Sequence, residues 1–377
     1  MQSASRFEQR KAEHIQSAEL CATCHTLYTS SYQDGEPIAR LPEQVPYLEW
    51  RHSGYPGRKS CQDCHLPVSE SPAAITSVLG REQEGFSRHV FRGGNFFMSR
   101  LLNRHGAELG VEALPGELEA TASRTIENLQ TLTASLELEA GILPDGLLAA
   151  DLKVTNLAGH KLPSAYPSRR AWVHFVVRDA AGSVVFESGA LRDSGYIEGN
   201  ANDEDPSAFE PHHTVITRPD QVQIYEGILA GPEDEVTTGL LTGVRYIKDN
   251  RILPMGFEKE TAAEDFAVQG EAYVDPDFTA GSDQVRFEVD LSGAGGPYRI
   301  EASIWFQPIS FRWAQNLKPY DAAPVRRFVR YYEGASGSTA QELARIALDV
   351  SGQDTQPSVE PAGSDEPATS DQPPTSE

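Results

Sequence analysis

Apolar and polar residues alternate through ASLELEAGILPDGLLAADLKVTNL (134–157), on both sides of Pro144-Asp145-Gly146. Period two around a tight turn predicts a β-hairpin. AWVHFVVRDAAGSVVFESG (171–189) repeats the theme around Ala-Ala-Gly, and DQVRFEVDLS (283–292) and YRIEASIWFQPIS (298–310) read as two more strands. Between them, 192–222 and 245–283 show no clear period. Before residue 132 the texture differs, with apolar positions spread thinly between turn signals. Short helices are expected over 14–28, 42–53 and 95–110, and a better one over GELEATASRTIENLQTL (116–132), with acids early in it. STAQELARIALDV (338–350) reads as an amphipathic helix.

These patterns predict an α+β multidomain chain. A mainly helical or irregular domain spans 1–131, and an antiparallel β-sandwich-like domain with long loops spans 132–335. A C-terminal helix (336–350) and a disordered acidic tail (351–377) follow. Neither βαβ alternation nor a Gly-rich phosphate loop occurs, which excludes a dinucleotide-binding fold.

Charge changes the picture of partners. Lys plus Arg total 32 against 55 Asp plus Glu, a net charge of −23. Nucleic acid is excluded, because phosphate binding needs clustered cations. A basic protein partner fits better. No apolar run approaches the ~20 residues of a membrane span. The start, MQSASRFEQRKAEH, lacks the apolar core of a signal peptide.

Four cysteines supply the chemistry: CATCH places Cys21, Cys24 and His25 together, and CQDCH repeats this at Cys61, Cys64 and His65. This is the attachment signature of c-type haem. Two thiols three apart add to the two vinyl groups on one porphyrin edge, and the next residue supplies the proximal imidazole. A zinc site built from the four thiolates fits less well: its pairs usually stand ~15–20 residues apart, and it gives no reason for either His. Disulfides are the other rival, but a chain this long needs no such staples. The first domain thus reads as a c-type haem-binding domain with two covalent haems. Tyr28, Tyr32, Tyr47, Trp50, Tyr55, Phe86, Phe91, Phe96 and Phe97 offer aromatic cover, and Arg51, Arg58, Lys59, Arg88 and Arg92 offer cations for propionates.

Each iron has a second axial position, and bis-His ligation is the economical choice. His52 sits in a turn-rich stretch before the second motif. His89 precedes a Gly-Gly pair that admits close backbone approach. His160 lies in a loop after an expected strand. His14 and His212 are weaker candidates. His174 reads as a packed strand residue and His105 as a surface or capping residue. Met98 and Met255 are the remaining alternatives.

SAELCATCHTLYT, LPEQVPYLEWRHS, KSCQDCHLP, HVFRGGNFFM, VTNLAGHKLPSAYPSRRAWVHFVVRDAAGSVVFESG, QVQIYE, VRYIKDNRILPMGF and RFEVDL carry a further signal. Over these stretches the chain resembles extracytoplasmic multihaem c-type cytochromes that join a haem-bearing N-terminal part to a β-rich C-terminal part. The resemblance implies electron transfer through bis-His haems and a periplasmic or otherwise extracytoplasmic location. It implies His25 and His65 as proximal ligands, and His52, His89 and His160 as distal or haem-contacting residues. Many members of that family carry more than two haem motifs, so further haems upstream or on a partner subunit are an open alternative. The expected partners are redox proteins and, in that alternative, other haem subunits. Competing expectations are a haem enzyme reducing or oxidising a small nitrogen or sulfur compound, an electron-transfer subunit of a larger complex, and a surface-binding role for the β-rich part. YPSRR and KDNR read as loop-fixing ion networks, or simply as surface charge.

Overall fold

A computed structural model describes residues 12–75 and 80–351. The chain opens with α1 (Ala18–Ala22), strands β1 (Leu27–Gln33) and β2 (Glu36–Gln44), α2 (Pro46–Arg51) and α3 (Cys61–His65). Short strands β3 (Ala73–Ala74) and β4 (Glu82–Gln83) precede α4 (Phe96–Arg104), α5 (Gly106–Leu109) and α6 (Pro115–Leu132). Then come β5 (Ala134–Ile142), β6 (Leu147–Asn156), β7 (Arg170–Arg178), β8 (Val184–Ser188), α7 (Ala201–Glu204) and β9 (Val215–Ile216). β10 (Ile224–Ala230), β11 (Val236–Thr237), β12 (Arg245–Asp249), β13 (Ser282–Asp290) and β14 (Tyr298–Gln307) follow. The last elements are α8 (Phe311–Gln315), α9 (Ala323–Glu333) and β15 (Gln341–Val350).

The hairpins expected around 134–157 and 171–189 form as β5–β6 and β7–β8, and the two later strands form as β13 and β14. A seven-stranded sheet has the order β11-β10-β7-β14-β15, with β12 on β10 and β8 on β7. A four-stranded sheet has the order β5-β6-β13-β9. Phe175 of β7 stacks on Phe287 of β13, with centroids 3.8 Å apart, so the two sheets share one apolar interior.

The expected fold class, a mainly helical or irregular first domain followed by an antiparallel β-sandwich-like one, is wrong. More residues lie in strands than in helices, and both kinds of element occur along the whole chain. A hairpin, β1–β2, occupies 27–44 directly after the first cysteine motif. Its turn is Asp34-Gly35, both at positive φ (52° and 85°), the conformation a two-residue hairpin requires. Helices also follow β14. Phe96, Phe97 and Leu101 of α4 and Ala122 and Leu129 of α6 belong to the same buried cluster as the strand residues Val154, Val173 and Phe287. Phe97 meets Tyr332 of α9 edge-on at 5.7 Å. Amphipathic helices that lack enough apolar surface for a core of their own bury it on the nearest sheet.

The expected helix over 336–350 is instead strand β15, paired antiparallel with β14 from Tyr298↔Val350 to Phe306↔Gln341. Ala344, Ile346, Leu348 and Val350 face inward, while Arg345, Ala347 and Asp349 face solvent. That period-two register beats the helix propensity of an Ala- and Leu-rich segment, because β14 offers a full ladder of backbone partners. The tail reading for 351–377 falls outside the described residues apart from Ser351.

Candidate haem-binding site

Each Cys-x-x-Cys-His motif folds as a short helical turn, and the two turns lie together. The Gln62 amide donates to the carbonyls of Ile15 and Ser17 (3.0 and 2.7 Å), fastening α3 to the entry of α1. The α3 turn is closed by a capping box: Ser60 N–H donates to Asp63 Oδ2 (2.7 Å), and Asp63 N–H donates to Ser60 Oγ (3.4 Å). This docking brings α3 against α1, and burial, the largest cause, pushes the Cys61 thiol up to about 12, with Cys21 next among the causes. All four cysteines and both motif histidines therefore share one site.

The His65 and His160 rings are near-parallel (18°), with centroids 6.2 Å apart. Two imidazoles sharing a metal between Nε2 atoms place their centroids about 6 Å apart: two metal–nitrogen bonds of about 2 Å, plus ~1 Å from nitrogen to centroid on each side. One nitrogen of each ring is already engaged. His65 Nδ1 lies 2.5 Å from the Arg92 carbonyl and His160 Nδ1 lies 3.0 Å from that of Lys161. A carbonyl accepts only, so each Nδ1 carries the proton and each Nε2 keeps its lone pair. Partial desolvation first, then neighbouring His65, lowers the proton affinity of His160 and of the more exposed His25, which favours the neutral form that a ligand needs.

His160 is held by a buried ion network. The Asn156 amide donates to the His160 carbonyl (2.8 Å). Lys161 N–H and the Ser164 hydroxyl donate to Glu49 Oε2 of α2 (3.1 and 2.6 Å). Glu49 pairs with Arg251 at 2.9 Å, Arg251 with Asp249 at 2.7 Å, and Asp249 with Lys161 at 2.7 Å. Gly159 lies so close to Trp50 that a Cβ would stand 3.2 Å from the indole. KDNR is thus an ion network: Lys248 pairs with Glu226, and Asp249 and Arg251 complete the chain to Glu49. In YPSRR, Arg170 forks onto Asp203 (2.8 and 2.9 Å), whereas half-buried Arg169 donates only to the Ser164 carbonyl (2.9 Å) among the described residues.

The other sequence candidates are placed elsewhere. His52 sits edge-on to Phe257 (4.8 Å), with Nε2 at 3.0 Å from the Glu258 carbonyl. His89 is exposed and meets Phe91. His14 is exposed. No ring contact joins any of these to His25 among the described residues. His105 stacks on Tyr331 (3.7 Å), and His174 reaches Glu187 (2.9 Å). Met98 packs against the core and Met255 is partly exposed. Of the proposed aromatic cover, Phe96 and Phe97 are buried in the protein core.

His212 is a correction. The Gln223 and Asn250 amides point their nitrogens at its Nδ1 (2.9 and 3.1 Å). Both amides are locked, because their oxygens accept from the backbone N–H groups of His213 and Glu226. Nδ1 is therefore an acceptor, and Nε2 carries the proton to Asp275 (3.0 Å). Neither nitrogen is free for iron. Asp283 completes this buried group, and burial pushes its carboxyl up to about 8 and His212 down to about 4.

The residues around the cysteine motifs fit a bulky ligand. Of eight buried side-chain atoms without a hydrogen-bond partner among the described residues, three gather here: Thr26 Oγ1, Gln62 Oε1 and Arg92 Nε. One follows His25, one lies inside the second motif, and the third belongs to the residue whose carbonyl orients His65. Buried orphans are rare in finished interiors.

No protein-family profile matches the sequence, and no curated protein matches it. Among solved structures, a penta-heme cytochrome c552 from Thermochromatium tepidum is similar at 15% identity with a TM-score of 0.47. The match covers 89% of this chain and 57% of that one. A likeness this slight does not bear on the assignment. Among the described residues, no helix is long and apolar enough to cross a membrane.

Proposed function

We propose that this chain is a c-type cytochrome that carries two covalent haems and transfers electrons. Cys21 and Cys24 would hold one haem and Cys61 and Cys64 the other through thioethers. His25 and His65 would ligate the irons, and His160 would be the second histidine for the iron of His65. The observation that carries this reading is the 6.2 Å, near-parallel His65–His160 pair, neither of whose Nε2 atoms has a hydrogen-bond partner among the described residues. When bound, the haems supply one-electron redox chemistry. The chain fixes the imidazole tautomers through the Arg92 and Lys161 carbonyls and braces the distal loop through Glu49. The Gln62 bonds to the Ile15 and Ser17 carbonyls keep the two attachment turns adjacent, which suits electron passage between them. Covalent attachment of this kind takes place outside the cytoplasm, so the site of action is extracytoplasmic. A chain with net charge −23 suits a redox partner with a basic docking face.

The test is a pyridine haemochrome count with intact mass. Two haems add ~1.2 kDa to the mature chain. His160→Ala should keep both haems but convert one from low-spin to a high-spin form that binds cyanide. A colourless mature protein of bare polypeptide mass overturns the proposal. Two haems with an unaltered spectrum in His160→Ala would remove His160 from the ligand set.

A further inference from the structure

Five positions in the described part of the chain contrast in how they treat positive charge. Lys161, Arg170, Lys248 and Arg251 are buried and each meets a carboxylate within 3.1 Å. Arg169, next to Arg170, has no ion pair among the described residues, and its guanidinium bonds there to the Ser164 carbonyl alone. It lines a cavity of about 380 Å³ together with Asn95, Tyr166, Ser168, Trp313 and Phe328. It stands beside the loop that orients His65: a Cβ built on Gly94, two residues after Arg92, would lie 3.5 Å from Arg169 Nη1. Burial alone holds its guanidinium down to about 10.

A partly desolvated guanidinium with spare N–H donors is unfavourable unless an anion meets it. Its planar fork matches a carboxylate. Tyr166 and Trp313, edge-on at 5.4 Å, give the same cavity an aromatic wall, and Asn95 and Ser168 add polar groups. An apolar wall with one unneutralised cation suits the rim of a flat, apolar molecule that ends in carboxylates.

We propose that Arg169 is a carboxylate receptor at the His65–His160 site, holding a propionate of the haem bound there. This rests on the two-haem reading above. Arg169 acts as a positioning residue: its fixed charge sets the redox balance of the neighbouring iron without ligating it. The same fork would accept a free carboxylate, and the test separates the two sources.

Wild type, Arg169→Gln and Arg169→Lys are matured with haem, counted by pyridine haemochrome and mass, and titrated spectroelectrochemically at constant ionic strength, with and without acetate. Removing a positive charge beside the iron favours the ferric form. One of the two midpoint potentials should therefore fall in Arg169→Gln by roughly a tenfold change in the redox equilibrium, ~59 mV, with Arg169→Lys in between. The other potential should stay fixed. Potentials that ignore acetate in wild type identify the propionate; an acetate-dependent potential lost in Arg169→Gln identifies a free carboxylate. If Arg169→Gln does not mature, Arg169→Lys and the acetate titration of wild type still decide. Two haems with unchanged potentials and no acetate response overturn the Arg169 inference alone, whereas a haem-free wild type overturns the haem reading itself.

Discussion

Two buried polar regions of this protein treat their charges in opposite ways. Around Asp249, the groups Lys161, Arg251 and Glu49 form a chain of three ion pairs, each 2.9 Å or shorter. Around the cysteine motifs, Thr26, Gln62 and Arg92 bury polar atoms with no partner, and Arg169 has no ion pair among the described residues. In the first region each charge stands beside an opposite one, although Glu49 Oε1, 2.9 Å from Arg251, lacks hydrogen-bond geometry. The second leaves three buried polar atoms and a guanidinium for the haems proposed above to meet. The difference teaches where to look for a cofactor site: at a cluster of unsatisfied groups beside a satisfied brace, not at the most charged part of the chain.

The largest effect should come from breaking the satisfied side. Asp249→Ala leaves Lys161 buried without a carboxylate and should cost about 3–5 kcal/mol in chemical denaturation. A loss under about 1 kcal/mol would mean that the network is not a brace.

Removing the ligand tests the unsatisfied side. Replacing Cys21, Cys24, Cys61 and Cys64 by Ser should lower hydrogen-exchange protection over 13–65 at least about tenfold, while β7, β13 and β14 keep theirs. Equal protection in the haem-loaded and Ser proteins would show that the motif region is complete on its own.

A smaller effect is expected from the His212–Asp283 group. Asp283 has its carboxyl raised from 3.8 to about 8, so the folded state binds its proton more tightly and this stability is lost as pH rises through 8. His212 is lowered from 6.5 to about 4, so its contribution is lost as pH falls from 6.5 toward 4. The two oppose each other between pH 4 and 6.5. Above 6.5 only Asp283 still changes, and stability should fall by up to about 2 kcal/mol by pH 8. Asp283→Asn should flatten that limb in denaturation curves at several pH values.

The smallest effect belongs to a surface pair. Lys153 and Glu137 face each other at 3.1 Å on adjacent strands, both partly in solvent. Lys153→Ala should change stability by less than about 1 kcal/mol. A larger loss would erase the contrast between buried and exposed pairs on which the comparison stands.

Much of the strand pattern was legible because solvent-facing and core-facing residues alternate within one short segment, as along β5 and β13. The helix over 115–132 was legible for the same local reason, with Pro115 at its start and Glu117 accepting from the Leu114 N–H. The hairpin β1–β2 was missed although Asp34-Gly35 is a hairpin signal, because its flanking strands are largely exposed and their alternation is weak. α9 was missed as well, although Pro324 and the spacing of Phe328, Tyr331 and Tyr332 mark it. β15 could not be read locally: Leu343, Ile346 and Val350 fit a helical spacing, while Ala344, Ile346, Leu348 and Val350 fit a strand.

By itself the sequence determined the four thiols, the two histidines that follow them and the excess of negative charge, because spacing of three along a chain is a covalent fact that no packing alters. Only the tertiary structure decided that His160, 95 positions after His65, is the histidine brought to its ring, that His212 is not free for iron, and that Arg169 differs from Arg170. Each of those depends on which groups far apart in the chain meet in the interior, where a buried polar atom is stable only beside its partner.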